Sequence, residues 1–98
     1  MADNESEKPA KPLSIYDVLA ILIEQISSVS WQKLGLQPDP MTGKIEFDLV
    51  EAKVSIDVTA SLVQHLESQL DEEDRRRLHS LVRDLRINYV QKSQAGSS

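Results

Sequence analysis

The chain has 98 residues, 40% of them hydrophobic and only 4% aromatic, and a net charge of −5. That length suits a single domain, and an aliphatic core poor in aromatics fits helix packed on helix better than a β-sandwich. The lack of cysteine excludes disulfides and thiolate chemistry, and the acidic balance argues against a nucleic-acid binder.

No apolar run approaches the roughly 20 residues needed to span a bilayer, and no apolar signal segment opens the chain. A cytoplasmic protein without membrane contact is expected. The charge is uneven. Residues 13–70 hold eight acids against three lysines, a net of −5, whereas residues 71–92 hold five acids against five arginines and Lys92, a net of +1.

Residues 1–12 are rich in Asp, Glu, Lys and Pro and carry too little apolar surface to order themselves, so they read as a disordered tail. The first helix is predicted to begin at Ser14, an N-cap with Asp17 completing a capping box and Leu13 stapling on Val18. Its apolar stripe is read as Ile15, Val18, Leu19, Leu22, Ile26 and Val29, with Ile21 and Ile23 off that line. Gly35 is placed to be the left-handed residue that closes a Schellman cap, with Leu36 folding back on Trp31.

Pro38, Asp39, Pro40 and Gly43 then specify turns, and Gly43 is expected to have a positive φ. A short extended stretch, 45–47, leads to Asp48, which caps the second helix in a box with Glu51. The core stripe of this helix is Leu49, Ala52, Ile56, Ala60, Val63, Leu66 and Leu70. It carries a surplus as well: Val50, Val54 and Val58 at i, i+4 and i+8, displaced from the main face. These valines either receive the first helix within the monomer or form an oligomer face, since β-branched residues at this spacing pack well on another helix.

Asp71 caps the third helix, with Asp74 three residues on. Its stripe is Leu78, Leu81, Val82, Leu85 and Tyr89. The short joint around residue 70 forces an antiparallel hairpin. The resulting expectation is an all-α, three-helix domain over residues 13–92. Its helices lie near 14–34, 48–69 and 72–92, the last two form the hairpin, and residues 93–98 are a frayed tail.

Chemistry-bearing residues are sparse. Arg76, Arg83 and Arg86 share a helix face with His79 and are a candidate phosphate-binding stripe. Pairs such as Glu72–Arg76 and Glu73–Arg77 explain them equally well as a solvated surface. His65 and His79 lack the Glu-x-x-His spacing of bundle metal sites. Asp39, Glu46 and Asp48 are accounted for by turns and caps. Ser27, Ser28 and Ser30 have no partner histidine in any suggestive place. No catalytic residue, cofactor or metal is therefore expected.

The run Pro38-Asp39-Pro40-Met41-Thr42-Gly43-Lys44, the helix start Leu70-Asp71-Glu72-Glu73-Asp74-Arg75-Arg76 and the ending Arg83-Asp84-Leu85-Arg86-Ile87-Asn88-Tyr89-Val90 resemble a family of small bacterial helical proteins classified as a domain of unknown function. The resemblance covers about residues 14–92. It implies a helical fold and a bacterial cytosolic origin, and it brings no catalytic residues. The expected function is non-catalytic: a module that forms a homo-oligomer, a dimer in the first instance, or docks on a protein partner. The alternative is a nucleic-acid-binding accessory protein using the arginine face.

Overall fold

The computed structural model describes residues 11–97. The expectation of a disordered N-terminal tail falls, apart from Lys11 and Pro12, outside the described residues. Three helices make the domain: α1, Ile15–Lys33; α2, Leu49–Leu66; and α3, Glu72–Ser97. A single 3-10 turn, Glu67–Gln69, extends α2 towards the joint with α3. The all-α, three-helix expectation holds. Among the described residues the β pairing amounts to an isolated antiparallel bridge between Leu34 and Phe47.

Two buried clusters fix the arrangement, and each takes residues from all three helices. In the first, Ile23 of α1 meets Val63 and Leu66 of α2 and Leu78 and Val82 of α3. In the second, Leu34 at the end of α1 meets Ala52 and Ile56 of α2 and Leu85 of α3, with Trp31 and Tyr89 packed against them. Chain direction therefore alternates from α1 to α2 to α3, and the α2–α3 hairpin is antiparallel as predicted. Every residue of the core stripes read for α2 and α3 is buried or half-buried, and in α2 Ser55, Thr59 and Leu62 are covered as well.

The first helix differs from its expected register. Its core-facing residues are Ile23, Ser27 and Ser30, whereas Ile15 and Val29 of the predicted stripe are exposed. The reason lies in the α1–α2 contact, which is lined by small side chains. Ser30 Oγ lies 2.8 Å from Ser55 Oγ, with the Ile26 carbonyl 3.0 Å from the first hydroxyl and the Ala52 carbonyl 2.9 Å from the second. Thr59 Oγ1 donates to the Ser55 carbonyl at 2.8 Å. Each buried hydroxyl is thus satisfied. Short side chains let the two helix axes approach closely, since interaxial distance follows the residues at the contact.

The helix ends follow the sequence closely. The Gly35 N–H donates to the Gln32 carbonyl at 2.9 Å and the Leu36 N–H to that of Trp31 at 3.0 Å, the bond pair of a Schellman cap. Asp48 accepts from the Glu51 N–H at 3.1 Å and Asp71 from the Asp74 N–H at 2.8 Å. Ser14 accepts from Tyr16, at 3.2 Å, instead of Asp17, and Leu13 is exposed, so it forms no hydrophobic staple. The turn after Pro38 is closed by Asp39, whose Oδ1 accepts from Met41 at 2.7 Å and Thr42 at 3.2 Å, while Pro40 sits exposed on its rim. α3 continues to Ser97, beyond the predicted end at Lys92, because no residue before Gly96 interrupts it.

Gly35 and Gly43 both have positive φ, +77° and +72°, and a test separates their roles. Alanine at Gly43 meets nothing nearby, so its cost is backbone strain alone, on the order of 1 kcal/mol. Alanine at Gly35 adds a Cβ only 3.1 Å from Phe47 Cβ, so Phe47 must also move. Urea unfolding is expected to rank Gly35→Ala as the more destabilising of the two. Equal midpoints would mean that Phe47 shifts freely.

Candidate interaction surface

Helical pitch and the α1–α2 contacts define a face that α3 does not cover. Lys33 Nζ lies 3.1 Å from Glu51 Oε1, and Ser30 meets Ser55 one turn further in. With α3 packed on the Trp31 side of α1 and the Ile56 side of α2, the opposite surface of the hairpin follows from 100° per residue. It presents Val18, Leu22, Ile26 and Val29 from α1 beside Val54, Val58 and Leu62 from α2, with Ile15 at one end.

This placement leaves the valine stripe outside the buried core of the monomer. Val50, Val54 and Val58 are 76%, 59% and 39% exposed. None is buried, whereas Ser55 and Thr59 of the same helix are, and Ser55 meets Ser30 of α1. Val54 and Val58 lie on the uncovered face, and Val50 sits at its margin. The α1 stripe that the sequence assigns to the core forms the other half of the same surface. The missed signal is the serine pair Ser27 and Ser30, which follows Ile23 at helical spacing and marks a close-packed face.

Electrostatically the uncovered face is quiet. Its charged pair, Lys33 and Glu51, neutralises itself. The hydrogen bond to Glu51, and then that carboxylate's charge, hold the Lys33 ammonium above its usual range. For a raised lysine the stabilisation is present below the unfolded pKa of about 10.4 and is lost as pH rises through the folded value. The pair is therefore intact at neutral pH.

The arginine stripe lies elsewhere. His79, Arg83 and Arg86 line an open groove of about 970 Å³ along the α2–α3 seam, opposite Asp57, Gln64 and Glu67 and over a floor that includes Ala60, Val63 and Val82. Arg76 is not part of its lining.

Most of the arginines are engaged by carboxylates. Arg75 lies 2.9 Å from Glu72 and 3.8 Å from Glu67, and Arg76 lies 3.9 Å from Glu72. Arg77 pairs with Asp74 at 3.4 Å rather than with the predicted Glu73, and Arg83 lies 3.9 Å from Asp84. Arg86 alone of the five has no carboxylate within salt-bridge distance among the described residues. His79 Nε2 lies 3.0 Å from Glu67 Oε2, and the two histidines do not converge into a cluster. Among the described residues no group of three or more His, Asp or Glu is placed to hold a metal ion. Likewise no helix is long and apolar enough to cross a membrane.

The comparisons with known proteins add one identification. No curated protein and no solved structure matches the chain. One family model does match, over residues 16–91, from the first turn of α1 to two residues past Tyr89. That span holds both buried clusters, the uncovered face apart from Ile15, and the Pro38–Gly43 turn, and the chain accordingly belongs to the family described as Domain of unknown function (DUF1844).

Proposed function

We propose that this domain is a non-catalytic protein-interaction module whose working surface is the α1–α2 face opposite α3. One observation carries the reading: an apolar surface, continuous across two helices and almost free of net charge, is left uncovered by the domain's own third helix. Isolated apolar residues are ordinary on a monomer, but a contiguous patch of this kind marks a binding surface. The carboxylates of the chain give further support, because Asp39, Asp48 and Asp71 act as turn and helix caps and Glu51, Glu67 and Glu72 are held in ion pairs. We take its setting to be the bacterial cytosol, in keeping with the sequence resemblance.

The test compares proteins captured from native cells by the tagged chain and by its Val54→Asp variant. Val54 is largely solvated in the monomer, so the variant keeps its helices while placing a charge in the face. Specific capture by the wild type that disappears with Val54→Asp, including capture of the untagged chain itself, is the expected result. Identical capture by both forms would overturn the reading.

The alternative, a nucleic-acid accessory role, is favoured by the convergence of His79, Arg83 and Arg86 on one groove. It is weakened by the carboxylates paired with most of the arginines. It predicts binding to DNA or RNA that falls steeply with salt as counterions are released. It also predicts loss of that binding in Arg86→Ala. Fluorescence anisotropy at low ionic strength with single- and double-stranded probes, showing no binding, removes it.

A further inference from the structure

We infer that the partner on the uncovered face is a second copy of this chain, with two α1–α2 hairpins packed face to face about a twofold axis. The inference rests on the interaction-module reading and adds the occupant. Each hairpin is already half of an antiparallel four-helix bundle, its two helices joined through residues 34–48 and an apolar side left open. A second hairpin completes the bundle and leaves the two α3 helices on its outer flanks.

Area, charge and side-chain pattern agree on this occupant. Ile15, Val29, Val54 and Val58, 61%, 39%, 59% and 39% exposed, offer on the order of 350 Å² of apolar surface per protomer, and the half-buried Val18, Leu22, Ile26 and Leu62 add to it towards the apolar share of the roughly 800 Å² per partner in a stable interface. Its one ion pair, Lys33–Glu51, is internally neutral and sits at the end of the face. The surface therefore offers nothing to steer a strongly charged partner, and two identical copies meet without like-charge repulsion. Isologous packing also requires a surface complementary to itself. Valine and leucine at i, i+4 spacing on both helices provide that, since such rows interdigitate with rows of the same kind.

Sedimentation equilibrium of the full chain across the micromolar range, with circular dichroism on the same samples, tests the inference. The wild type is expected to be a dimer. Val54→Asp is expected to weaken self-association at least tenfold while retaining the helical signal of the monomer. Val58→Asp repeats the test from a second position, in case one variant fails to fold. Ile87→Asp, on the exposed side of α3 in the other groove, is expected to leave the dimer intact.

A strictly monomeric wild type overturns the inference, and the interaction reading is then decided separately by the capture experiment. A dimer unaffected by both valine variants, or one dissolved by Ile87→Asp, also overturns it. Dissolution by Ile87→Asp would place the self-association in the α2–α3 groove instead.

Discussion

Leu85→Ala is expected to destabilise the domain by about 3–4 kcal/mol, within the range for large-to-small substitutions at fully buried sites. Leu85 is completely buried and is the residue through which the middle of α3 enters the cluster of Leu34, Ala52 and Ile56. Truncation removes the transfer free energy of the lost atoms and leaves a cavity whose walls come from three different helices. Those walls cannot collapse inward without moving α3 as a whole. A domain of this size has a total stability of only about 5–10 kcal/mol, so the variant is expected to be substantially unfolded near 37 °C. Urea unfolding followed by circular dichroism measures the loss. A cost below about 1 kcal/mol would mean that α3 repacks readily and does not hold the hairpin.

The second large effect is expected at the α1–α2 contact. Ser30→Leu places a bulky side chain where a hydroxyl lies 2.8 Å from Ser55 Oγ. Overpacking of a dense site typically costs about 1–3 kcal/mol, and here the strain separates two helices along their closest approach. Ser30→Ala is the informative companion. Ser55 keeps its bond to the Ala52 carbonyl at 2.9 Å, so no buried donor is orphaned, and the cost is expected to stay near 1 kcal/mol or below. Thermal unfolding of the pair should show a marked drop in midpoint for leucine and a small one for alanine. Equal midpoints would show that the contact has room and that small residues there are incidental.

These two sites differ in how visible they are from the sequence. Leu85 belongs to a stripe with Leu78 and Val82 that helical period alone identifies as buried. Ser30 belongs to no apolar pattern, and a hydrophobicity argument places it in solvent. Its burial becomes apparent only when Ser55 and Thr59 are seen opposite it. The same blind spot misplaced part of the first helix: Leu19 of its stripe does pack against the core, but Val29 and Ile15 looked like core too, and the buried Ile23 looked off the line.

The flanking arginines were half legible. Their shared face follows from spacing, but which carboxylate each one meets depends on side-chain reach. Arg77 accordingly turns to Asp74 rather than to Glu73.

Local chemistry was determined by the sequence itself. Asp48 and Asp71 start helices because a short carboxylate satisfies the free N–H groups of a first turn. Gly35 ends one because it alone enters a left-handed conformation without strain. The Asp39 turn closes through its own side chain. The stripes of α2 and α3 face the core because no other arrangement removes them from water.

Only the tertiary structure decided which of two apolar faces on α1 turns inward, and hence which valines and isoleucines remain outside. Hydrophobicity measures how much surface a residue would bury, and both faces of α1 satisfy it. Close approach to α2 is set by side-chain size, and Ser27, Ser30, Ser55 and Thr59 win that contact because they are small and their hydroxyls have partners. The larger apolar residues are left on the surface that a second copy is proposed to cover.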